Sequence, residues 1–132
     1  MTEISVLTVF AGLPVRNLDQ AIKWYERVLG RAPDARPAPQ IADYYLASDR
    51  VPEHGTLQLR QDESRAGGGL MTINVANIAE IARSLRNLGV PFETQDFPLD
   101  AETVGSVTVG TFEDPDGNAI TIVEPHLRST EN

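Results

Sequence analysis

The chain has 132 residues, 41% of them apolar, which is enough for one domain with a real core and too little for two. Lys and Arg number 11 against 19 Asp and Glu, a net charge of -8, and no basic cluster exists that could neutralise a run of phosphates, so nucleic acid is not expected as a partner. Cysteine is absent, which excludes disulfides, thiolate metal sites and cysteine nucleophiles and leaves His54 and His126 as the imidazoles.

The N-terminal residues lack the basic start and long apolar run of a secretory signal. No stretch approaches the ~18 apolar residues of a membrane span, so a soluble, cytoplasmic protein with no membrane partner is expected. The first element is a strand-like run, VLTVFAGLPV, at residues 6–15. Asn17 then reads as an N-cap with Gln20 completing a capping box, followed by a helix whose buried stripe is Ala21, Ile22, Tyr25, Val28 and Leu29. Gly30 sits where a left-handed C-terminal cap belongs. RAPDARPAPQ is too rich in proline for a central strand, whereas DYYLAS and GTLQLRQ are β-like, with His54 at the hairpin tip between them.

QDESRAGGGL, with three consecutive glycines, reads as a flexible connector. A second strand-like run, LMTINV, leads to Asn77 and Glu80 as another capping box. The helix that follows would bury Ile78, Ile81, Ala82, Leu85 and Leu88, and Gly89 ends it. PFETQDF, SVTVGTF and NAITIVE complete this half as strands, and the tail HLRSTEN, which contains His126, is polar and expected to fray. Glu113, Asp114 and Asp116 lack the acidic spacing of a calcium loop, and DPDGN reads as a turn. Strand, cap, helix, glycine and hairpin thus recur in the same order. A single domain over 1–132 is expected, with an internal repeat of 1–60 and 70–125 joined by a glycine-rich linker at 61–69.

Strand side chains alternate between faces. One set is wholly apolar: Val9, Ala11, Leu13 and Val15; Leu57 and Leu59; Met71, Ile73 and Val75; Ile120 and Ile122. That face is expected under helices. The other set is mixed, with Thr8, Phe10 and Gly12; Thr56, Gln58 and Arg60; Leu70, Thr72 and Asn74; Ala119, Thr121 and Val123. Its shortage of Lys and Glu suits the wall of a cavity better than a solvated surface. Aromatic candidates for that wall are Phe10, Trp24, Tyr44, Tyr45, Phe97 and Phe112, and the polar anchors are Gln58, Arg60, Thr72, Asn74 and Thr121.

LPVRNLDQAIKWYERVLG resembles the opening of the vicinal oxygen chelate superfamily, which includes glyoxalase I, bleomycin-resistance proteins and extradiol dioxygenases. FEDPDGNAITIVEP resembles its closing hairpin. The resemblance spans nearly the whole chain. It implies an α+β fold in which two βαβββ modules form a cup-shaped, mostly antiparallel eight-stranded sheet with helices outside, usually in a homodimer. Metal-dependent members place four ligands inside the cup, at places that fall here on Phe10, Gln58, Leu70 and Thr121. Two of these have no donor and two are neutral oxygens, so no metal and no cofactor are expected.

The favoured reading is a metal-free binding protein resembling the bleomycin-resistance branch, with Phe10, Tyr45, Gln58, Arg60, Leu70, Thr72, Asn74, Phe112 and Thr121 around a small-molecule ligand. Acidity suits a cationic guest, while an inward Arg60 would favour a carboxylate or phosphate. The alternatives are an enzyme of glyoxalase or dioxygenase type, and a module whose sheet face docks another protein. No catalytic residue is assigned, since neither histidine has a readable relay.

Overall fold

The computed structural model describes residues 2–128, so the end of the tail, expected to fray, lies outside the described residues. By their contacts the residues form two compact units. Among the described residues, one holds residues 2–69 together with Pro115–Asn118; the other holds Leu70–Asp114 and residues 119–128.

The first unit runs β1 (Ala11–Val15), α1 (Leu18–Leu29), β2 (Ala35–Ala38), β3 (Ile41–Tyr45) and β4 (Thr56–Gln61), with a 3-10 turn at Pro52–His54 before β4. Its sheet has the order β1-β4-β3-β2, with β1 parallel to β4 and the other pairs antiparallel. The second unit repeats the plan as β5 (Leu70–Asn74), α2 (Ile78–Asn87), β6 (Thr94–Pro98), β7 (Val104–Glu113) and β8 (Ala119–Leu127), in the order β5-β8-β7-β6 with β5 parallel to β8. The architecture is therefore α+β: two βαβββ modules, each with a four-stranded mixed sheet. Among the described residues no helix is long and apolar enough to cross a membrane.

Local chemistry explains most element ends. Asn17 accepts the Gln20 N–H at 3.0 Å, and Gly30 closes α1 at φ 76°. In α2 the expected cap differs: the Asn77 amide goes to the Glu80 carboxylate at 3.3 Å, and the Ile78 N–H is taken at 2.9 Å by Glu124 from β8. A carboxylate serves a helix N-terminus well, because it meets both the orphan donors and the positive end of the dipole. The proline-rich β2 forms a strand only at the sheet edge, where a missing N–H does no harm.

Two expectations need correction. The strand predicted over residues 6–15 begins only at Ala11; residues 2–10 are exposed and lie in no helix, strand or turn. The linker at 61–69 is not loose. Asp62 donates its N–H to Val15 O at 2.9 Å, Gly68 to Arg65 O at 3.1 Å, and Gly69 to the Asn118 side chain at 2.7 Å.

Most of the all-apolar set is core: Leu13, Val15, Leu57, Leu59, Met71, Ile120 and Ile122 are buried, beneath Leu18, Ala21, Ile22 and Tyr25 of α1 or Ile78, Ala82 and Leu85 of α2, whereas Ile73 and Val75 are half-buried and Val9 and Ala11, at or before the start of β1, are exposed. Tyr44 belongs to the first core, fully enclosed, with its ring 6.4 Å from that of Tyr25. Its hydroxyl finds no hydrogen-bond partner among the described residues, and burial first, then the nearby Glu26 charge, pushes its pKa up to about 12 from 10.0. Between those values the unfolded chain releases a proton that the native state keeps, so stability falls as pH rises from 10 toward 12, by about 2 kcal/mol. Urea titrations at pH 8 and pH 11 are expected to show about 1.4 kcal/mol of that loss in the parent and less in Tyr44→Phe. At neutral pH the same variant is expected to be no less stable, since it deletes an unpaired buried hydroxyl.

Candidate functional site

Cross-strand register assigns each predicted residue to a face. In the first sheet Asp43 lies opposite Gln58, Ile41 opposite Arg60, and Tyr45 opposite Thr56, all on the side away from α1. There the Gln58 amide donates to Asp43 Oδ1 at 3.0 Å, and Asp43 is 4% exposed. Arg60 is exposed two residues further along, beside a cavity of about 310 Å³ that Gly12, Pro14, Gln61, Asp62 and Arg65 also line.

Asp62 is already engaged. Ser64 donates to it at 2.7 Å, which is the main cause holding its carboxyl below the usual range, and the Arg65 N–H adds a weaker bond. The guanidinium groups of Arg60 and of Arg65, which is 82% exposed and 4.0 Å from Asp62, are thus the cations this wall offers a ligand. Sequence reasoning had Gln58 and Arg60 but missed Asp43. The signal was present in IADYY, whose alternation puts Ala42 and Tyr44 in the core and Asp43 and Tyr45 behind them.

In the second sheet the corresponding face carries a row of threonines, Thr72 opposite Thr121 opposite Thr111, with Thr111 and Thr121 hydroxyls 2.9 Å apart. Next to it run Asn74, Val123, Val109 and Gln95, and Leu70 stands 83% exposed at the start of β5. Phe97 is half-exposed on this face.

Three aromatic assignments change. Phe112 pairs with Ile120, so it faces α2 and is buried edge-on to Phe92 at 5.9 Å between ring centroids; it is core, not wall. Tyr44 is core for the same reason of phase. Phe10 lies in the segment before β1, outside any strand. Trp24 is half-buried on α1 against Tyr25, with ring centroids 4.8 Å apart.

Both histidines have carboxylate neighbours. His54 pairs with Asp49 at 2.5 Å in an exposed turn. His126 is on β8 rather than in a frayed tail, its Nδ1 3.6 Å from Glu124 and its Nε2 2.7 Å from the Thr108 hydroxyl, beside a cavity of about 390 Å³ that Arg83 and Arg86 help to line. Hydroxyl, imidazole and carboxylate in series suggest a nucleophile and its base. The protons argue otherwise, because Thr108 donates its single hydrogen to Asp96 at 2.6 Å and so accepts from Nε2–H. An imidazole that donates to the hydroxyl cannot activate it.

The sequence matches the family model described as the Glyoxalase/Bleomycin resistance protein/Dioxygenase superfamily over residues 7–122. The chain belongs to this superfamily. No curated protein matches it. Among solved structures it is similar to a glyoxalase/bleomycin resistance protein from Catenulispora acidiphila, at 26% identity and TM-score 0.70 over 90% of this chain and 98% of that one. TnmS3, an antibiotic binding protein from a Streptomyces species, aligns at 19% identity and TM-score 0.65 over 94% of this chain and 100% of its own. A bleomycin-binding protein complexed with bleomycin aligns at 16% identity and TM-score 0.63 over 92% of this chain and 100% of its own. At these last two identities the likeness is one of fold.

The superfamily's metal places can be judged by their donors. Phe10 and Leu70 have none; Gln58 and Thr121 offer only a neutral amide oxygen and a hydroxyl, the Gln58 Nε2 donating to Asp43 and the Thr121 hydroxyl paired with that of Thr111. Among the described residues no three of His, Asp and Glu are grouped to hold an ion. This donor set does not fit a divalent transition metal, and no chemistry is derived through one.

Proposed function

We propose that this superfamily member is a metal-free, cytoplasmic small-molecule-binding protein that works as a homodimer, of the antibiotic-binding kind. The observation that carries the reading is the second face of the first sheet, where the buried Asp43 and half-buried Gln58 form a positioned polar pair beside the exposed Arg60 and its cavity. Oriented polar groups next to apolar and backbone surface are what a binding wall requires. Asp43 offers an acceptor to N–H groups of a ligand and Arg60 a fork for a carboxylate or phosphate. The fold shared with an antibiotic binding protein and a bleomycin-binding protein supports the same reading.

The test is a thermal-shift screen with bleomycin and a panel of carboxylate-bearing and cationic antibiotics, followed by titration calorimetry. A ligand at a hundredfold excess over its Kd adds about 2.7 kcal/mol to stability, well within detection. Arg60→Ala is expected to weaken a carboxylate-bearing ligand by roughly tenfold or more and to spare a purely cationic one. Unchanged affinity for every ligand found would remove Arg60 from the site. Elemental analysis after incubation with manganese, iron, cobalt, nickel or zinc and desalting is expected to show no stoichiometric metal. Retention of one metal would instead place a glyoxalase- or dioxygenase-type enzyme first.

A further inference from the structure

The two modules share one plan, so a feature that only one of them has is not demanded by the fold. In both, the last strand supplies the side-chain oxygen that takes the first N–H of the helix: Gln61 for Leu18 at 2.9 Å, and Glu124 for Ile78 at 2.9 Å. There the copies part. β4 ends at Gln61, whereas β8 runs on past Glu124 through His126 to Leu127, paired with the matching length of β7. The helices differ too: counted from Asn17 and Asn77, Arg83 and Arg86 of α2 stand where α1 has Lys23 and Glu26. Neighbours of opposite charge on a helix face support it, and neighbours of like charge do not.

These differences meet at one place. The alternation that turns Ile120 and Ile122 toward α2 continues into Glu124 and His126, and with Ile78, Ala82, Arg83 and Arg86 they line the cavity of about 390 Å³. Glu124 is already engaged, its Oε1 by the Ile78 N–H and its Oε2 facing His126 Nδ1 at 3.6 Å. His126 in turn gives its Nε2 hydrogen to Thr108. The two guanidiniums are not engaged in this way. Neither forms an ion pair among the described residues, and Arg83 makes no hydrogen bond there. Arg86 is anchored through Nε alone, 3.3 Å from Phe92 O, which leaves both of its terminal nitrogens to a ligand. In a chain where Asp and Glu outnumber Lys and Arg by 19 to 11, two neighbouring arginines beside a cavity have been left without a carboxylate.

We infer that this cavity is a second binding site, for a small organic carboxylate with a short apolar body. The guanidinium forks of Arg83 and Arg86 match the two oxygens of a carboxylate, and the buried Ile78 and Ala82 offer apolar surface to the hydrocarbon part. The volume lies toward the small end of ligand pockets, which span roughly 300–1,000 Å³, so the guest is a compact molecule. The site is on the side of the second sheet that faces α2. The wall proposed above is on the face of the first sheet away from α1, so the two readings stand or fall separately.

The test titrates hexanoate, and hexanamide as its neutral counterpart, into isotope-labelled protein and follows the backbone amide resonances. Hexanoate is expected to shift α2 and the stretch of β8 around Glu124 and His126 saturably, with a dissociation constant below about 1 mM. Hexanamide is expected to bind roughly tenfold or more weakly, since it brings no charge to the arginines. Arg83→Gln is the clean variant, because this exposed side chain makes no hydrogen bond or ion pair whose loss could disturb the fold. Together with Arg86→Gln it is expected to weaken hexanoate by roughly tenfold or more, with the remaining resonances in place. The same shifts are expected to persist in Arg60→Ala with Arg65→Ala. Shifts confined to β1 and β4 would overturn this site while supporting the first one. Equal binding of hexanamide, or no saturable shift with hexanoate, would overturn it outright.

Discussion

Asn118→Ala is expected to lower stability by about 2–4 kcal/mol, seen as a reduced urea midpoint at unchanged m-value. Asn118 is fully buried, and its side chain does two backbone jobs at once: Nδ2 donates to Pro14 O at 2.8 Å and Oδ1 accepts from the Gly69 N–H at 2.7 Å. Truncation takes the partner from the half-buried Gly69 N–H and leaves the Pro14 carbonyl with only the longer 3.4 Å bond from the Gly67 N–H, and an unsatisfied group of this kind costs about 1–3 kcal/mol. The loop that presents Asn118 would loosen as well, although Asp116 still holds the Arg16 N–H at 3.2 Å. Asn118→Asp provides the contrast: it keeps an acceptor for Gly69 but sets a charged oxygen against the Pro14 carbonyl. It is therefore expected to be no better tolerated than alanine near pH 7, and to recover as the pH falls and the carboxyl gains a proton it can donate. Stability of Asn118→Ala within 1 kcal/mol of the parent would contradict the role assigned to this side chain.

Gly110→Ala is expected to cost about 3 kcal/mol, at the upper end of overpacking effects. Gly110 lies on β7 facing α2, where the Phe92 ring crosses its backbone. A Cβ added there would stand 2.5 Å from Phe92 Cζ and 2.8 Å from the backbone oxygen of Glu93. The ring could swing aside only by leaving its edge-on contact with Phe112, and the carbonyl belongs to the segment entering β6. Pairing the substitution with Phe92→Leu is expected to recover part of the loss, so that the double variant is more stable than the sum of the two singles predicts. Strict additivity in that cycle would mean the ring is not what excludes a side chain at position 110.

The residues that organise each module announce themselves locally. The Asn17 cap, the Gly30 stop and the alternation of Leu57 and Leu59 with Gln58 and Arg60 are all one-dimensional signals, and the structure bears them out. The cap of α2 is different. Asn77 has the right residue type, but a carboxylate 46 positions away supplies the hydrogen bond, and no local pattern contains that. Phe112 shows the same limit, since its place in the core depends on a register opposite Ile120.

Periodicity, caps and turn chemistry are near-neighbour physics, so the sequence alone determined the βαβββ plan, its duplication and the core face of β4, β5 and β8. Pairing partners are a long-range matter. Tertiary structure decided that Asp43 stands with Gln58 on the wall, that Asn118 ties β1 to Gly69, and that residues 2–10 find no strand among the described residues. Each of those outcomes depends on which segments meet, and that is settled by burial and hydrogen bonding across the chain rather than along it.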